Sequence, residues 1–266
     1  ADSDLDGLCA AAVLKAANPD AEVHFAHAAL VRSGALDELI DRSTAMVDLP
    51  FHPDCGWYLD HHQTNRPNEE EEKLFISQGG TCHWESTPSA ARLAFDVLSP
   101  YIDLTHLEEI MPIVDALDSG QIRREDFIQD GPVLQLARSL SLRETEHMHH
   151  VLNLFSRGAL LSEVLADEDI MPHITRARDE RIAAQAVVEQ HTEIIDRLAI
   201  CRMDEKGVRS MDILSQRGQE TERMRAVLFM AMRTARLKRP NAQHSPPVFM
   251  PIHFSKMGRI DLICLV

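Results

Sequence analysis

Trp57-Tyr58-Leu59-Asp60-His61-His62-Gln63 is a short apolar stretch that runs straight into an acid and two imidazoles. Its first part, Trp57 to Asp60, reads as a strand. A similar unit precedes it. Ala45-Met46-Val47-Asp48-Leu49-Pro50, within the strand-like stretch Thr44 to Leu49, ends in Asp48 before a proline that stops further pairing. Further upstream, Glu22 to Ala28 is strand-like, and Gly34 to Arg42 reads as a helix between the two. Ahead of both, Leu8 to Ala17 is rich in Ala and Leu and reads as a helix, with Asp6 as its candidate cap. This alternation predicts parallel strands with crossover helices, a sheet whose ligands gather beyond the carboxyl ends of the strands. Asp48 and Asp60 close their strands at that edge, and the acidic opening Asp2 to Gly7 would join them if a strand lies just upstream.

Downstream, the acidic run Glu69 to Glu72, followed by Gly79 and Gly80, reads as an exposed loop. Thr87 and Pro88 mark a helix start that continues through Ala90, Ala91, Leu93, Ala94 and Val97. From there to about Glu168 the pattern is helical, broken at Asp118 to Gly120 and at Gly131 to Pro132. A helix from Ile174 to Leu198, with Ile182, Ala186, Val187, Ile194 and Ile195 as its apolar stripe, is expected to join two domains. Beyond it, strands at Leu198 to Met203, Val248 to Phe254 and Ile260 to Val266, a helix at Thr221 to Leu237 and a proline-containing loop near Pro240 to Pro247 predict a smaller unit. The expected fold class is α/β: a parallel-sheet domain flanked by helices over residues 1–168, a linker helix over 169–198 and an incomplete α/β domain over 199–266.

Composition narrows the function. The 266 residues carry 27 Lys and Arg against 42 Asp and Glu, a net charge of −15, and 44% are hydrophobic, enough for a sizeable core. No apolar run approaches the roughly 20 residues of a membrane-spanning helix, so no membrane partner is expected. The five cysteines are scattered and form no C-x-x-C pair, which argues against a disulfide framework or zinc knuckle and fits a reducing, cytoplasmic setting. The acidic balance argues against a groove for long nucleic acid. Aromatic residues are only 5%, and the two indoles, Trp57 and Trp84, lie in no basic run. Arg233 to Arg239 reads as a helix end whose cations complement the dipole. Small phosphate-bearing ligands are favoured over polymers. Both ends read as cut, the first inside a polar motif and the last inside an apolar run.

Asp2-Ser3-Asp4-Leu5-Asp6-Gly7 has the D-x-D-x-D-G spacing of a calcium loop, but the position that needs a bidentate Glu is Val13. Alternating carboxylates at a strand-to-helix turn suit a divalent cation cluster instead. Asp48 alone reads equally as a turn-stabilising residue. Asp60, His61 and His62 add nitrogen to oxygen, a mixture that suits Mn²⁺, Fe²⁺, Co²⁺ or Zn²⁺. Neighbours in an extended chain point apart, so one histidine can bind metal while the other faces substrate. His147, His149 and His150 sit on a helix with no acid at a fixed ligand spacing and read as surface or lightly buried residues. His52, His83, His106 and His253 carry no site on position alone, and Cys9 reads as a small core residue.

With these residues in order, the chain resembles the DHH phosphoesterase superfamily, which includes RecJ-like and oligoribonuclease-like phosphohydrolases. Asp2 to Gly7 resembles the first motif, Asp48 the second, Asp60-His61-His62 the third, and Val114-Asp115-Ala116-Leu117-Asp118-Ser119-Gly120 the fourth. Ser89-Ala90-Ala91-Arg92-Leu93 is also similar to a stretch of these proteins. The likeness covers about Ala1 to Glu168. It implies a cluster of two metal ions, usually Mn²⁺, with Mg²⁺ or Co²⁺ as substitutes, held by Asp4, Asp6, Asp48, His61 and either Asp118 or Asp115. It further implies that Asp60 orients His61 and that His62 faces the substrate phosphate. Arg92 is a second candidate for that phosphate, against the blander reading of a solvated helix arginine. Two departures stand out: the first motif's histidine would fall immediately before Ala1, and Gly258 does not supply the Gly-rich motif of a DHHA1 cap domain. The implied activity is metal-dependent hydrolysis of short oligonucleotides, cyclic dinucleotides or nucleotide-like phosphates, by water activated between two ions, in a chain that can form a homodimer. Inorganic pyrophosphatase or exopolyphosphatase activity, and a non-catalytic nucleotide-binding module, are the alternatives.

Overall fold

The computed structural model describes residues 1–195, 198–203 and 260–265, and the chain divides into two compact units, Ala1–Thr175 and Arg176–Val266. The first unit is built on a parallel sheet of β1 (Ala45–Val47), β2 (Trp57–Asp60) and β3 (Thr81–Trp84), in that spatial order. Around it lie α1 (Leu5–Ala17), α2 (Ala28–Arg32), α3 (Glu69–Ser77), α4 (Ala90–Leu98), α5 (Met111–Asp118), α6 (Arg124–Gln129), α7 (Pro132–Ser139), α8 (Thr145–Ser156) and α9 (Leu161–Ala166). The α/β class and the parallel pairing match the sequence expectation.

Strand alternation divides the core. Val47 and Leu59, paired in register, face the larger cluster, which holds Leu8, Leu93, Met111, Leu136, Met148 and Phe155. Met46 and Tyr58, also paired, face a smaller one with Leu49, Cys55 and Phe75. A sheet covered on both faces needs apolar residues at successive positions, which is what these short strands carry. Helix α1 is buried from Leu5 to Val13, and its alanines let α4 and α8 approach closely. Cys9, Cys55 and Cys82 carry free thiols.

Several local expectations are corrected. The cap of α1 is Asp4, whose Oδ1 accepts from the backbone of Gly7 at 2.9 Å, while Asp6 lies inside the helix. Glu22 to Ala28 makes a single parallel bridge, Asp2 with Ala26, because its partner turns into α1 at Leu5. In place of the helix expected at Gly34 to Arg42 there is only a short 3₁₀ turn at Asp37–Leu39; α2 comes before that stretch, and Gly34 at φ 75° stops it. The acidic run Glu69 to Glu72 is no loop but the first turn of α3. Asn68 caps it, accepting from Glu70 and Glu71 at 3.0 Å, while Glu71 accepts from the Asn68 backbone at 2.8 Å. Carboxylates there complement the helix dipole. Strand β3, Thr-Cys-His-Trp, had no counterpart in the sequence reading. The helical body breaks where expected, at Asp118 to Gly120 and at Gly131 to Pro132.

Helix α10 (Met171–His191) ends before Leu198, and Ile194 and Ile195 belong to a strand. In the second unit, β4 (Thr192–Ile195), β5 (Leu198–Met203) and β6 (Ile260–Leu265) form an antiparallel sheet in that order. β-Branched Thr192, Ile194 and Ile195 favour the extended form over a further helical turn. The expected helix at Thr221 to Leu237, loop at Pro240 to Pro247 and strand at Val248 to Phe254 lie outside the described residues, as do His253, Gly258 and Arg233 to Arg239. Among the described residues no helix is long and apolar enough to cross a membrane.

Candidate metal centre

The carboxyl edge of the parallel sheet collects the charged groups. Asp48, just past β1, has φ 56°, a left-handed backbone that its short polar side chain tolerates better than most. Its backbone N–H donates to Leu59 O at 3.0 Å, so the bend stays tied to β2. From there Oδ1 reaches within 3.4 Å of His62 Nδ1 and 3.9 Å of His61 Nε2.

Asp60, fully buried at the end of β2, holds the His62 ring and the backbone of both histidines, and not the His61 ring that the resemblance assigned to it. Its Oδ1 accepts from the backbone of His61 at 2.7 Å and of His62 at 3.1 Å and lies 3.0 Å from His62 Nδ1. Its Oδ2 accepts from Tyr58 OH at 3.0 Å. Both oxygens are thus engaged within the protein. His61 is held from the other side, where its Nδ1 donates to the Thr87 carbonyl at 3.0 Å. A carbonyl can only accept, so Nδ1 carries the proton and a neutral ring keeps its lone pair on Nε2. That nitrogen faces Asp118 Oδ2 at 3.1 Å, Asp6 Oδ2 at 3.6 Å and Asp48 Oδ1 at 3.9 Å.

Asp6 comes from the first turn of α1 and accepts from the backbone N–H groups of Ala90 and Ala91 at 2.8 and 2.7 Å, so one carboxylate joins α1 to the start of α4. Asp4, one position ahead of the helix, is exposed. Asp118 is the last residue of α5. Asp115, a turn earlier, points elsewhere: Oδ1 accepts from Ser89 Oγ at 2.7 Å, and Oδ2 accepts from Arg92 Nε and Nη2 at 3.0 and 2.8 Å. The structure therefore brings Asp6, Asp48, His61 and Asp118 together, sets Asp60 and His62 beside them, and pairs Asp115 with Arg92.

Crowded acids resist ionisation. Burial, and then the charges of Asp118 and Asp4, push the Asp6 carboxyl up to about 8. Asp48 is held well above the usual carboxylate range by burial, then by Asp6 and Asp4. Burial works against a charged His61, yet the carboxylates of Asp118 and Asp6 outweigh it and raise its pKa. For His62 the hydrogen bond with Asp60 does the same. Asp48 Oδ1 and His61 Nε2 are buried and make no hydrogen bond. Two such acceptors facing each other call for a proton or a cation between them. Ligand atoms of Asp6, His61 and Asp118 lie within 4.8 Å of one another, as do those of Asp48, Asp60, His61 and His62. His61 is common to both sets, and the oxygen-and-imidazole donors, with no thiolate, fit a divalent first-row transition-metal cation.

Sequence reading missed the groups that aim these ligands. The Thr87 carbonyl, the Tyr58 hydroxyl and the Ala90 and Ala91 amides leave no compositional trace. It also found no acid for His150, whose Nε2 lies 2.9 Å from Asp167 Oδ1. That carboxylate accepts from the backbone of Asp169 and Ile170 ahead of α10.

No family model and no curated protein matches the chain. Among solved structures, a pGpG-specific phosphodiesterase, PggH from Vibrio cholerae, is similar at a TM-score of 0.63 and 20% sequence identity, over 82% of this chain and 73% of that one. At that identity the likeness establishes a shared α/β fold.

Proposed function

We propose that the chain is a metal-dependent phosphohydrolase of the DHH phosphoesterase kind, cleaving phosphodiester or phosphomonoester bonds of short oligonucleotides, cyclic dinucleotides or nucleotide-like phosphates. One observation carries the proposal: His61, its Nδ1 committed to Thr87 O, turns a buried Nε2 toward the carboxylates of Asp6, Asp48 and Asp118. The fold shared with a phosphodiesterase supports it, and the pGpG in that protein's name puts a 5′-phosphorylated dinucleotide first among substrates to try.

In this reading Asp6, Asp48, His61 and Asp118, with Asp4 at the rim, hold two divalent cations, Mn²⁺ foremost. Such ions would supply an activated water and screening of the phosphate charge. The remaining roles fall to the chain. Asp60 fixes His62 through Nδ1, so a protonated ring presents Nε2–H toward the phosphate and the departing oxygen. The hydrogen bond with Asp60 raises the His62 pKa and so favours the protonated ring. Ser89 and Arg92, through Asp115, brace α5 against α4 and so hold Asp118 in place. Metals at the site offset the −15 charge locally, which makes an anionic ligand tolerable.

The test is release of phosphate or mononucleotide from pGpG, cyclic dinucleotides, 3′-phosphoadenosine 5′-phosphate and pyrophosphate, with and without Mn²⁺, beside His61→Ala and Asp48→Asn. Asn also tolerates a left-handed backbone, so the second variant removes charge and not conformation. Turnover that needs Mn²⁺ and falls by at least about 100-fold in both variants is expected. No turnover from folded, Mn²⁺-loaded protein sinks the catalytic reading.

A further inference from the structure

We propose that Arg66 and Trp84 form a stacking platform beside the metal centre that recognises the base of a purine nucleotide; the idea deepens the phosphohydrolase reading and rests on it. Trp84 ends β3 in register with Asp60 at the end of β2, so its half-buried indole stands at the same sheet edge as the acids and imidazoles. Its Nε1–H donates to the His62 carbonyl at 3.1 Å, which fixes the ring against the residue assigned to the phosphate. The Arg66 guanidinium lies over this ring, 4.3 Å from its centroid. Arg66 is exposed, and among the described residues it forms no ion pair with a carboxylate.

The backbone that carries Arg66 is pinned. Asn65, buried, donates its N–H to the same His62 carbonyl at 3.1 Å. Its own carbonyl accepts from Tyr58 OH at 2.9 Å and from Phe51 N at 3.3 Å, and its side-chain oxygen accepts from Arg32 Nη2 at 2.7 Å. The turn that follows the two histidines is therefore held in place, and Arg66 leaves it toward the indole. A guanidinium stacked on an aromatic ring is planar and weakly hydrated, with its outer face and N–H edge left for a ligand. Nucleobases stack on such planes, and a purine offers the larger face to do so. An exposed cation that no described carboxylate neutralises, in a chain of charge −15 and next to the residues assigned to the phosphate, fits a base-bearing anion.

The test uses the full chain carrying Trp57→Phe, which leaves Trp84 as its one indole. Indole emission is titrated in Mn²⁺ with GMP and with ribose 5-phosphate, which has the same phosphate and no base. GMP is expected to quench the emission and bind about tenfold tighter than ribose 5-phosphate. Arg66→Ala should erase that advantage and leave ribose 5-phosphate unchanged. Trp84→Leu, followed by calorimetry, should do the same. Equal affinities, no binding of either ligand, or an Arg66→Ala loss shared by both ligands overturns the assignment, the last in favour of a phosphate contact. Dinucleotide hydrolysis is scored separately. Base-dependent binding without hydrolysis keeps the platform and sinks the phosphohydrolase reading; hydrolysis without base dependence does the reverse.

Discussion

Two aspartates a single helical turn apart show how closely role depends on the exact neighbours of a side chain. Asp118 and Asp115 were alternatives in the sequence, because either fits the fourth motif. In the fold Asp118 faces His61 Nε2, whereas both oxygens of Asp115 are taken by Ser89 and Arg92. Asp118→Asn is therefore expected to weaken Mn²⁺ binding by calorimetry at least about tenfold with little change in melting temperature. Asp115→Asn should retain Mn²⁺ affinity to within a few fold and lose about 1–3 kcal/mol of stability, since it leaves a part-buried arginine short of its partner. The reverse pattern would exchange the two assignments. In the sequence only the Ser119 and Gly120 that follow Asp118 favour it; the difference in partners comes from Ser89 and Arg92 at the start of α4.

At the scale of elements, the turn from Asp2 into α1 sets the positions of both Asp4 and Asp6. Gly7 makes this possible, since an added Cβ would stand 2.5 Å from Asp2 O and 2.8 Å from Asp2 N. Backbone cannot yield there as a flexible side chain would. Gly7→Ala should cost about 1–3 kcal/mol in chemical denaturation and weaken Mn²⁺ binding as well, because the shifted turn carries both acids. A stability loss with unchanged metal affinity would show that Asp4 and Asp6 are not ligands. The elements themselves were unevenly legible. Strand β2 and the helix breaks at Asp118 to Gly120 and at Gly131 to Pro132 carry strong local signals, an apolar run and glycine or proline punctuation. Helix α3 was hidden behind four glutamates, whose charge suggests a loop until the Asn68 and Glu71 cap is weighed against it.

For the whole molecule, the acid cluster links stability to pH and to metal. The raised Asp6, Asp48, His61 and His62 bind protons more tightly folded than unfolded. Their contribution is thus fully present at low pH and is lost as pH rises, for Asp6 between the ordinary 3.8 and about 8. Metal-free protein in chelator should accordingly melt at lower temperature as pH rises through that window. Mn²⁺ should reverse the trend, because a cation replaces the protons and its affinity grows with pH. At a hundredfold excess over the dissociation constant it adds about 2.7 kcal/mol. A melting temperature indifferent to Mn²⁺ at high pH would remove the metal from the account.

The α/β class, the parallel pairing and the gathering of acids and imidazoles at one sheet edge were readable from the chain, because apolar periodicity, caps and proline or glycine stops act over a few residues. The use of each ligand atom was not. Asp6 meets Ala90 and Ala91 across 84 and 85 positions, and His61 meets the Thr87 carbonyl across 26. Such partners are chosen by which helices pack on the sheet and in what register, so the direction of His61 Nε2, the separation of Asp118 from Asp115 and the meeting of Arg66 with Trp84 exist only once the chain is folded.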